Sequence, residues 1–325
     1  MIWVEFLICA SLMTFFAFRL CKEGVIVAEK TRLDEGVIGM FFLAVATSFP
    51  EIVTGATAVS VLGKIGLGFG DIVGSVIANF MILAALDYYS GKGRIFLKIS
   101  NLNKITGIFV IFTATIIFIS AFLRGKGLSV PAFKGIGLES VLIAVIYFAY
   151  LRIIKKRGFA RDEFEPRDKS QTFLTMWAKF AFFLLIVMGL GIWMASIGEK
   201  IILNTTLTET FTGTLILGVA TSLPEIIVSF TALRAGSVNM AVGNILGSNL
   251  FDLSIIPLFD ALSRRPILGL LSFGQILAAG FVLILSVITI AGLYWKKETY
   301  RKLSLDTGII FIVGAVGFVL LYFIQ

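Results

Sequence analysis

The sequence contains no histidine and only two cysteines, Cys9 and Cys21. The lack of histidine removes the commonest proton shuttle and the commonest transition-metal ligand. Both cysteines lie in or beside the first apolar run, where they form neither a ligand cluster nor a disulfide framework. These absences argue against a zinc, copper or iron site, and we expect no covalent cofactor.

Charged residues are also scarce, at 15% of the 325 residues, whereas 58% of the residues are hydrophobic. Soluble domains contain about 25% charged and about 45–50% apolar residues, so a water-soluble globule is excluded. A helix that crosses a bilayer needs about 20 apolar residues. Windows of that size predict an all-α polytopic membrane protein with ten transmembrane helices. The predicted spans lie near residues 2–18, 37–62, 72–89, 105–122, 133–154, 173–197, 209–233, 241–262, 269–292 and 304–324.

The net charge of +8 does not indicate a nucleic-acid partner, because Lys and Arg lie in short loops between the apolar spans. They are concentrated in the odd-numbered connections, which the positive-inside rule places in the cytoplasm. Both termini are then extracellular, and residues 155–172 form the main cytoplasmic loop. This loop joins a first half, residues 1–154, to a second half, residues 173–325. We expect a multi-pass protein of the cell membrane that contacts lipid and functions as a monomer.

The two halves contain a sequence repeat. The segment 213–225 repeats the segment 39–51, and both contain the motif A-T-S-x-P-E. Further on, 243–252 repeats 70–79. Five spans precede the second copy, and because five is odd, the second copy enters the membrane from the opposite side. Inverted repeats of five helices are typical of secondary transporters, whose ion sites lie where discontinuous helices of the two halves meet.

Each copy of the motif places a proline, Pro50 or Pro224, in the middle of a span and directly before a glutamate. A proline in a helix interior costs about 3 kcal/mol, since it removes a backbone hydrogen bond. We therefore expect helices 2 and 7 to be discontinuous. A carboxylate at mid-bilayer costs roughly 2.5–3.5 kcal/mol, and neither Glu51 nor Glu225 has a Lys or Arg near it in its own span. A bound cation is the predicted compensation.

Helical spacing places further oxygen groups beside each glutamate. The hydroxyl residues three and four positions before the glutamates are Thr47, Ser48, Thr221 and Ser222. The following spans carry polar stripes with a spacing of four residues, formed by Asp71, Ser75 and Asn79 and by Asn244, Ser248 and Asp252. Carboxylate, hydroxyl, amide and carbonyl oxygens are the ligands of hard cations such as Ca²⁺.

These motifs resemble the two alpha repeats of the cation/calcium antiporter superfamily, specifically its sodium/calcium exchanger branch. That branch carries G-T-S-L-P-E and G-N-x-x-G-S-N. The resemblance covers essentially the whole chain, and the short central loop matches prokaryotic exchangers without large regulatory domains. It implies exchange of several Na⁺ for one Ca²⁺ by alternating access, with the first and sixth helices sliding over the other eight. The implied ion ligands are Glu51, Asn79, Glu225 and Asp252 at the centre, the hydroxyls of Thr47, Ser48, Ser75, Thr221, Ser222 and Ser248, and the carbonyls of Ala44 and Gly218.

The first repeat departs from the family at two positions. Asp71 stands where the family usually has asparagine, and Val76 stands where asparagine or a small residue is common. An acid one turn from Ser75 could alter the ion preference. We expect instead that Asp71 pairs with a neighbouring donor at the membrane surface.

Two other functions remain open. A Ca²⁺/H⁺ antiporter of the same fold would need only the carboxylates, whereas the paired hydroxyls favour Na⁺ as the counter-ion. An intramembrane aspartyl protease using Asp71 is a remote alternative, because residues 68–71 match its G-x-G-D motif. That group also needs a Tyr-Asp partner and a Pro-Ala-Leu segment, which this sequence lacks. We therefore expect a transporter and no enzymatic activity.

Overall fold

Long helices make up most of the computed structural model, which describes residues 1–30, 41, 43–90, 95, 99–128, 130–157, 173–294 and 305–324. The first half contains α1 (Ile2–Lys30), α2 (Ala44–Thr47), α3 (Phe49–Ser60), α4 (Ile65–Ser90), α5 (Asn101–Gly125) and α6 (Leu138–Arg157). The second half begins with α7 (Phe173–Asn204), α8 (Glu209–Phe211), a π-helical segment (Thr212–Leu217), α9 (Gly218–Thr221) and α10 (Leu223–Arg234). It continues with α11 (Val238–Leu253), α12 (Ile256–Ser263), a 3₁₀ turn (Ile267–Gly269), α13 (Phe273–Tyr294) and α14 (Leu305–Phe323).

Within the described residues, 8 helical stretches are long and apolar enough to cross a membrane. They agree with the predicted spans except the second and the fifth. The predicted second span, 37–62, falls partly outside the described residues, and its described part contains α2 and α3. The predicted fifth span corresponds to α6, which is less apolar because it carries charged residues at both ends. Most of the predicted cytoplasmic loop, at 158–172, lies outside the described residues.

The expectation of an all-α fold needs one small correction. Residues Ala132–Phe133 (β1) and Ile136–Gly137 (β2) form an antiparallel hairpin just before α6. The two residues between the strands, Lys134 and Gly135, have φ of 49° and 86°. Positive φ at both central positions is the geometry of a tight hairpin turn. The predicted fifth span therefore starts too early at residue 133, because this turn delays the helix to Leu138.

The helices pack as one large group and one smaller group. α4 is the most enclosed helix, and it contacts α3, the π-helical segment, α11, α13 and α14. Its buried apolar side chains share one core with those of α5, α11, α12 and α13. In contrast, α1 and α7 contact each other extensively and meet the rest mainly through α3 and α10. Their apolar contacts form two further clusters outside the main core.

Two matching aspartates connect the halves. Asp87, near the end of α4, accepts a hydrogen bond from Thr307 Oγ1, in the first turn of α14, at 2.7 Å. Asp260, in α12, accepts one from Ser140 Oγ, in the first turn of α6, at 2.7 Å. Each aspartate therefore binds the start of the last helix of the opposite half. Asp260 also accepts from the backbone N–H groups of Gly137 at 2.9 Å and of Ile267 at 2.8 Å.

Replacing Asp260 tests this connection. The Asp260→Ala substitution leaves three donors without their acceptor, and each buried unpaired donor costs about 1–3 kcal/mol. We expect a clearly lower unfolding temperature of the detergent-purified protein, measured by fluorescence-detected thermal unfolding. Leu262→Ala, at an exposed apolar position two residues away, is the control and should change it little. Equal unfolding temperatures for Asp260→Ala and the unaltered protein would contradict the structural role.

Candidate cation-binding site

Two helices are interrupted at matching positions. Ser48 separates α2 from α3 with φ −82° and ψ 7°. Ser222 separates α9 from α10 with φ −81° and ψ 0°. Pro50 and Pro224 fall in the first turn of the following helices, where the backbone N–H has no intrahelical acceptor. The expected interruptions are therefore present at both prolines.

Glu51 and Glu225 lie in the first turns of α3 and α10, and both side chains are completely buried. The N-terminus of a helix carries a partial positive charge that favours a carboxylate. Ser75 Oγ donates a hydrogen bond to Glu51 Oε1 at 3.2 Å, and Ser248 Oγ donates to Glu225 Oε1 at 3.4 Å. The Oε2 atoms of both glutamates have no hydrogen-bond partner within the described residues. Each glutamate thus presents one buried, unpaired oxygen.

Ser75 is the centre of a group of oxygens drawn from both halves. Its hydroxyl lies 3.1 Å from the carbonyl oxygen of Gly218 and 3.1 Å from Thr221 Oγ1, both in α9. Ser75 and its acceptor Glu51 belong to the first half. We call Ser75, Glu51, Thr221 and the Gly218 carbonyl the Ser75 cluster.

The same arrangement surrounds Ser248. Its Oγ lies 3.1 Å from Thr47 Oγ1 and 3.5 Å from the carbonyl oxygen of Ala44, both in α2. With Glu225, these groups form what we call the Ser248 cluster. Each contact matches a contact of the Ser75 cluster through the sequence repeat. The repeat seen in sequence is therefore also a repeat of hydrogen-bond geometry.

The predicted central residues of α4 and α11, Asn79 and Asp252, are completely buried. None of the side-chain oxygen or nitrogen atoms of these two residues has a hydrogen-bond partner in the part of the chain that the structure describes. Glu51 interacts electrostatically with Glu225 and Asp252, so the three acids are near one another. No three acidic side chains of the described residues converge on one metal position. A divalent ion would therefore take hydroxyl, amide or carbonyl oxygens in addition to carboxylates.

The serines at the two interruptions differ from each other. Ser48 Oγ is buried and has no hydrogen-bond partner among the residues described, whereas Ser222 Oγ donates to the Gly218 carbonyl at 2.8 Å. The structure therefore brings eight of the twelve predicted ligands into the Ser75 and Ser248 clusters. Asn79 and Asp252 are buried one turn further along the helices that carry Ser75 and Ser248, and Ser48 and Ser222 lie at the interruptions.

Sequence reasoning missed the second layer of contacts behind these clusters. Asp71 is completely buried, and its Oδ1 accepts a hydrogen bond from Thr221 at 3.0 Å. The donor that we expected beside Asp71 is therefore Thr221, a residue of the Ser75 cluster. At the matching position behind the Ser248 cluster, Thr47 Oγ1 lies 3.4 Å from Asn244 Oδ1. The four-residue stripes in the sequence contained this signal, since they place Asp71 and Asn244 on the same helix faces as the serines.

Comparison with known proteins identifies the family. The family model described as sodium/calcium exchanger protein matches residues 1–154 and 175–325. The chain belongs to this exchanger family. A relative described as an uncharacterized membrane protein, MJ0091 of Methanocaldococcus jannaschii, is 26% identical over 88% of this chain and 86% of its own length.

Solved exchanger structures share the fold. The sodium-calcium exchanger NCX_Mj, soaked with Na⁺ and Ca²⁺, superposes with a TM-score of 0.64 at 20% identity, covering 98% of this chain and 97% of that one. The H⁺/Ca²⁺ exchanger CAX superposes with a TM-score of 0.72 at 14% identity, covering 98% of this chain and 86% of that one. The fold is thus shared by exchangers with two different counter-ions.

Membership of this family settles the general function. The chain is a membrane-embedded cation/Ca²⁺ antiporter of the prokaryotic type, and its substrates are ions. It is not an enzyme, so the protease alternative based on Asp71 is wrong. The G-x-G-D match is explained by the repeat, in which Asp71 is the counterpart of Asn244.

Close backbone contact between α4 and α9 holds the Ser75 cluster of this exchanger together. A Cβ added to Gly218 would lie 2.7 Å from backbone atoms of Gly74 and Ser75. Backbone atoms cannot move away as a flexible side chain can, so a methyl group there must separate the two helices.

We expect Gly218→Ala to reduce ion transport strongly, because Ser75 and Thr221 would no longer be 3.1 Å apart. The measurement is ⁴⁵Ca²⁺ uptake into proteoliposomes. Gly189→Ala is the matched control, since a Cβ at Gly189 would meet no atom of the described structure within 4 Å. Normal uptake by Gly218→Ala would show that this close contact is not needed.

Proposed function

We propose that this exchanger moves Na⁺ and Ca²⁺ in opposite directions across the cell membrane by alternating access. The observation that carries the proposal is the set of buried oxygens on Glu51, Glu225, Asp252 and Asn79 that have no hydrogen-bond partner among the described residues. Buried polar groups of native proteins almost always have partners. Carboxylates without partners carry an especially large desolvation cost. A transported cation removes this cost while it is bound.

We assign the divalent ion to the region of the four central residues, Glu51, Asn79, Glu225 and Asp252. Since the three acids do not converge on one metal position in the described structure, neutral oxygens would complete its ligands. Ca²⁺ prefers about six to eight oxygen ligands with flexible geometry, including carboxylates and amide oxygens. Three carboxylates exceed the charge of one Ca²⁺, so one of them would carry a proton in the Ca²⁺-bound state. Several monovalent ions would balance the same charge without Ca²⁺. Because Ca²⁺ and the monovalent ions compete for the same carboxylates, the two ion flows are coupled.

We assign the monovalent ions to the Ser75 and Ser248 clusters. Each cluster combines a single carboxylate with two hydroxyls and one backbone carbonyl, and all of its side chains are buried. The low charge and the number of neutral oxygens suit a dehydrated Na⁺. The carbonyls of Ala44 and Gly218 belong to the first residues of the short helices α2 and α9.

The second candidate is a Ca²⁺/H⁺ antiporter. The similarity to the H⁺/Ca²⁺ exchanger CAX favours it. A proton needs only the carboxylates, however, and the two hydroxyl clusters would then have no role in the exchange. We therefore prefer Na⁺.

We further propose that the chain forms ten transmembrane helices as two inverted five-helix repeats, 1–154 and 173–325, joined by a cytoplasmic loop at 155–172. The termini would then be extracellular. The separate packing of α1 and α7, which correspond to the first and sixth spans, supports a mechanism in which these two helices slide over the other eight spans. A monomer suffices, because all the proposed ligands belong to one chain.

The ion assignment predicts Na⁺-driven Ca²⁺ transport. In proteoliposomes loaded with Na⁺, we expect an outward Na⁺ gradient to drive ⁴⁵Ca²⁺ uptake. Glu225→Gln removes a central charge with almost no change in shape, so uptake should fall to background. Lys179→Gln, a charge removal in the exposed part of α7, is the control and should retain uptake. Uptake that follows a pH gradient and ignores the Na⁺ gradient would support the proton-coupled alternative.

The topology predicts the accessibility of introduced cysteines. The native Cys9 and Cys21 are buried, whereas Thr206 and Lys155 are exposed. A membrane-impermeant maleimide should label Thr206→Cys in intact cells but should label Lys155→Cys only after permeabilisation. Labelling of both positions from the same side would contradict the inverted arrangement.

A further inference from the structure

The Ser75 and Ser248 clusters differ in what lies behind their threonines. Behind Thr221 is a carboxylate, since Thr221 Oγ1 lies 3.0 Å from Asp71 Oδ1. Behind Thr47 is an amide, and the distance from Thr47 Oγ1 to Asn244 Oδ1 is 3.4 Å. The matching positions 71 and 244 therefore have different charge and a different distance to the threonine.

The other atoms of these two side chains differ as well. Asn244 Nδ2 donates to Ser229 Oγ at 3.0 Å, so the amide is held on both sides. In the sequence repeat, Ser229 matches Gly55, which has no side chain to offer. Accordingly, Asp71 Oδ2 is buried and has no hydrogen-bond partner within the described residues. Among the described residues, Thr221 is thus the side chain that holds Asp71 by a hydrogen bond, through one of its two carboxylate oxygens.

Acids and amides are also exchanged between the two stripes. In α4, Asp71 is the acid and Asn79 the amide, whereas in α11, Asn244 is the amide and Asp252 the acid. Asp71 interacts electrostatically with Glu51 and with Asp252. If Asp71 is counted, each half supplies two buried carboxyl groups to the region of the site. Without Asp71, the first half supplies one and the second half supplies two.

We propose that Asp71 is a positioning residue that makes the Ser75 cluster bind a monovalent cation more tightly than the Ser248 cluster, and so determines the balance between monovalent and divalent ions. This inference rests on the proposed Na⁺/Ca²⁺ exchange. Besides the Ser75 hydroxyl at 3.1 Å, the Thr221 hydroxyl has three acceptors within reach. They are Asp71 Oδ1 at 3.0 Å, the Leu217 carbonyl at 3.0 Å and the Gly218 carbonyl at 3.4 Å.

The carboxylate is the strongest of these acceptors, since hydrogen bonds to ionised groups are roughly twice as strong as neutral ones. When Thr221 donates to Asp71, its oxygen lone pairs face Ser75 and the cluster. The Gly218 carbonyl then accepts one hydrogen bond fewer. In the Ser248 cluster, the longer contact to a neutral amide holds Thr47 less firmly, so it competes less with the carbonyls of Leu43 and Ala44.

The test is Asp71→Asn, which keeps the shape of the side chain and removes its charge. We measure the Na⁺ and the Ca²⁺ concentrations that give half of the maximal rise in unfolding temperature of the purified protein. Loss of a charge-assisted hydrogen bond should raise the half-saturating Na⁺ concentration about tenfold. The half-saturating Ca²⁺ concentration should change by a clearly smaller factor, because Ca²⁺ binds mainly to the central acids.

The matched variant is Asn244→Asp, which places a carboxylate behind Thr47. The Ser229 hydroxyl can rotate to donate to the new carboxylate. We expect this variant to lower the half-saturating Na⁺ concentration, opposite in sign to Asp71→Asn. The Asn244→Asp variant therefore tests the inference even if Asp71→Asn does not fold.

Three results would overturn the inference. One is an unchanged Na⁺ response in both variants, and another is an equal loss of Na⁺ and Ca²⁺ binding in Asp71→Asn, which a purely structural role would produce. The third is the absence of any Na⁺ response in the unaltered protein, which would overturn the proposed Na⁺ coupling at the same time. A Na⁺ response in the unaltered protein with unaffected variants would overturn the role of Asp71 alone.

Discussion

The arrangement of this exchanger depends on two buried glutamates that have no basic partner among the described residues. A carboxylate in a membrane interior is costly unless something compensates its charge. Glu51 and Glu225 receive partial compensation from the first turn of a helix and from one serine each. The remaining oxygen of each is unpaired within the described structure. A protein that paired these oxygens permanently would be more stable, but it would leave no place for the ion that we propose to bind there.

The other features of the site follow from this requirement. The interruptions between α2 and α3 and between α9 and α10 place each glutamate in the first turn of a helix. Glycines at the contact between α4 and α9 let the backbones approach closely enough for Ser75 to reach across to Gly218 and Thr221. The aspartates Asp87 and Asp260 then hold the last helix of each half against the opposite half. A site at the junction of the halves needs such connections, because neither half contains a complete cluster.

The similarity to both sodium-coupled and proton-coupled exchangers shows that this fold does not by itself select the counter-ion. Selection must come from the side chains around the carboxylates. Hydroxyl groups supply neutral ligands for a metal cation, and the residues behind them decide how firmly those hydroxyls are oriented. The exchange of an acid for an amide between Asp71 and Asn244 gives the two clusters unequal support, although their first layer of contacts is the same.

The sequence by itself determined the membrane-spanning character, the internal repeat and the chemistry of the proposed ligands. Hydrophobic runs, mid-span prolines and unpaired acids have strong energetic consequences in a bilayer, and these consequences can be read without coordinates. Helical spacing predicted that Thr47 lies beside Glu51, but in the structure Thr47 belongs to the Ser248 cluster with Glu225, because the helix is interrupted at Ser48. Only the tertiary structure decided which residues of the two halves meet, namely Ser75 with Gly218 and Thr221, and Ser248 with Ala44 and Thr47. It also brought Asp71 to Thr221 and replaced the start of the fifth predicted span with a hairpin. These outcomes depend on packing between distant segments and on the backbone conformation of single residues, which local sequence patterns do not encode.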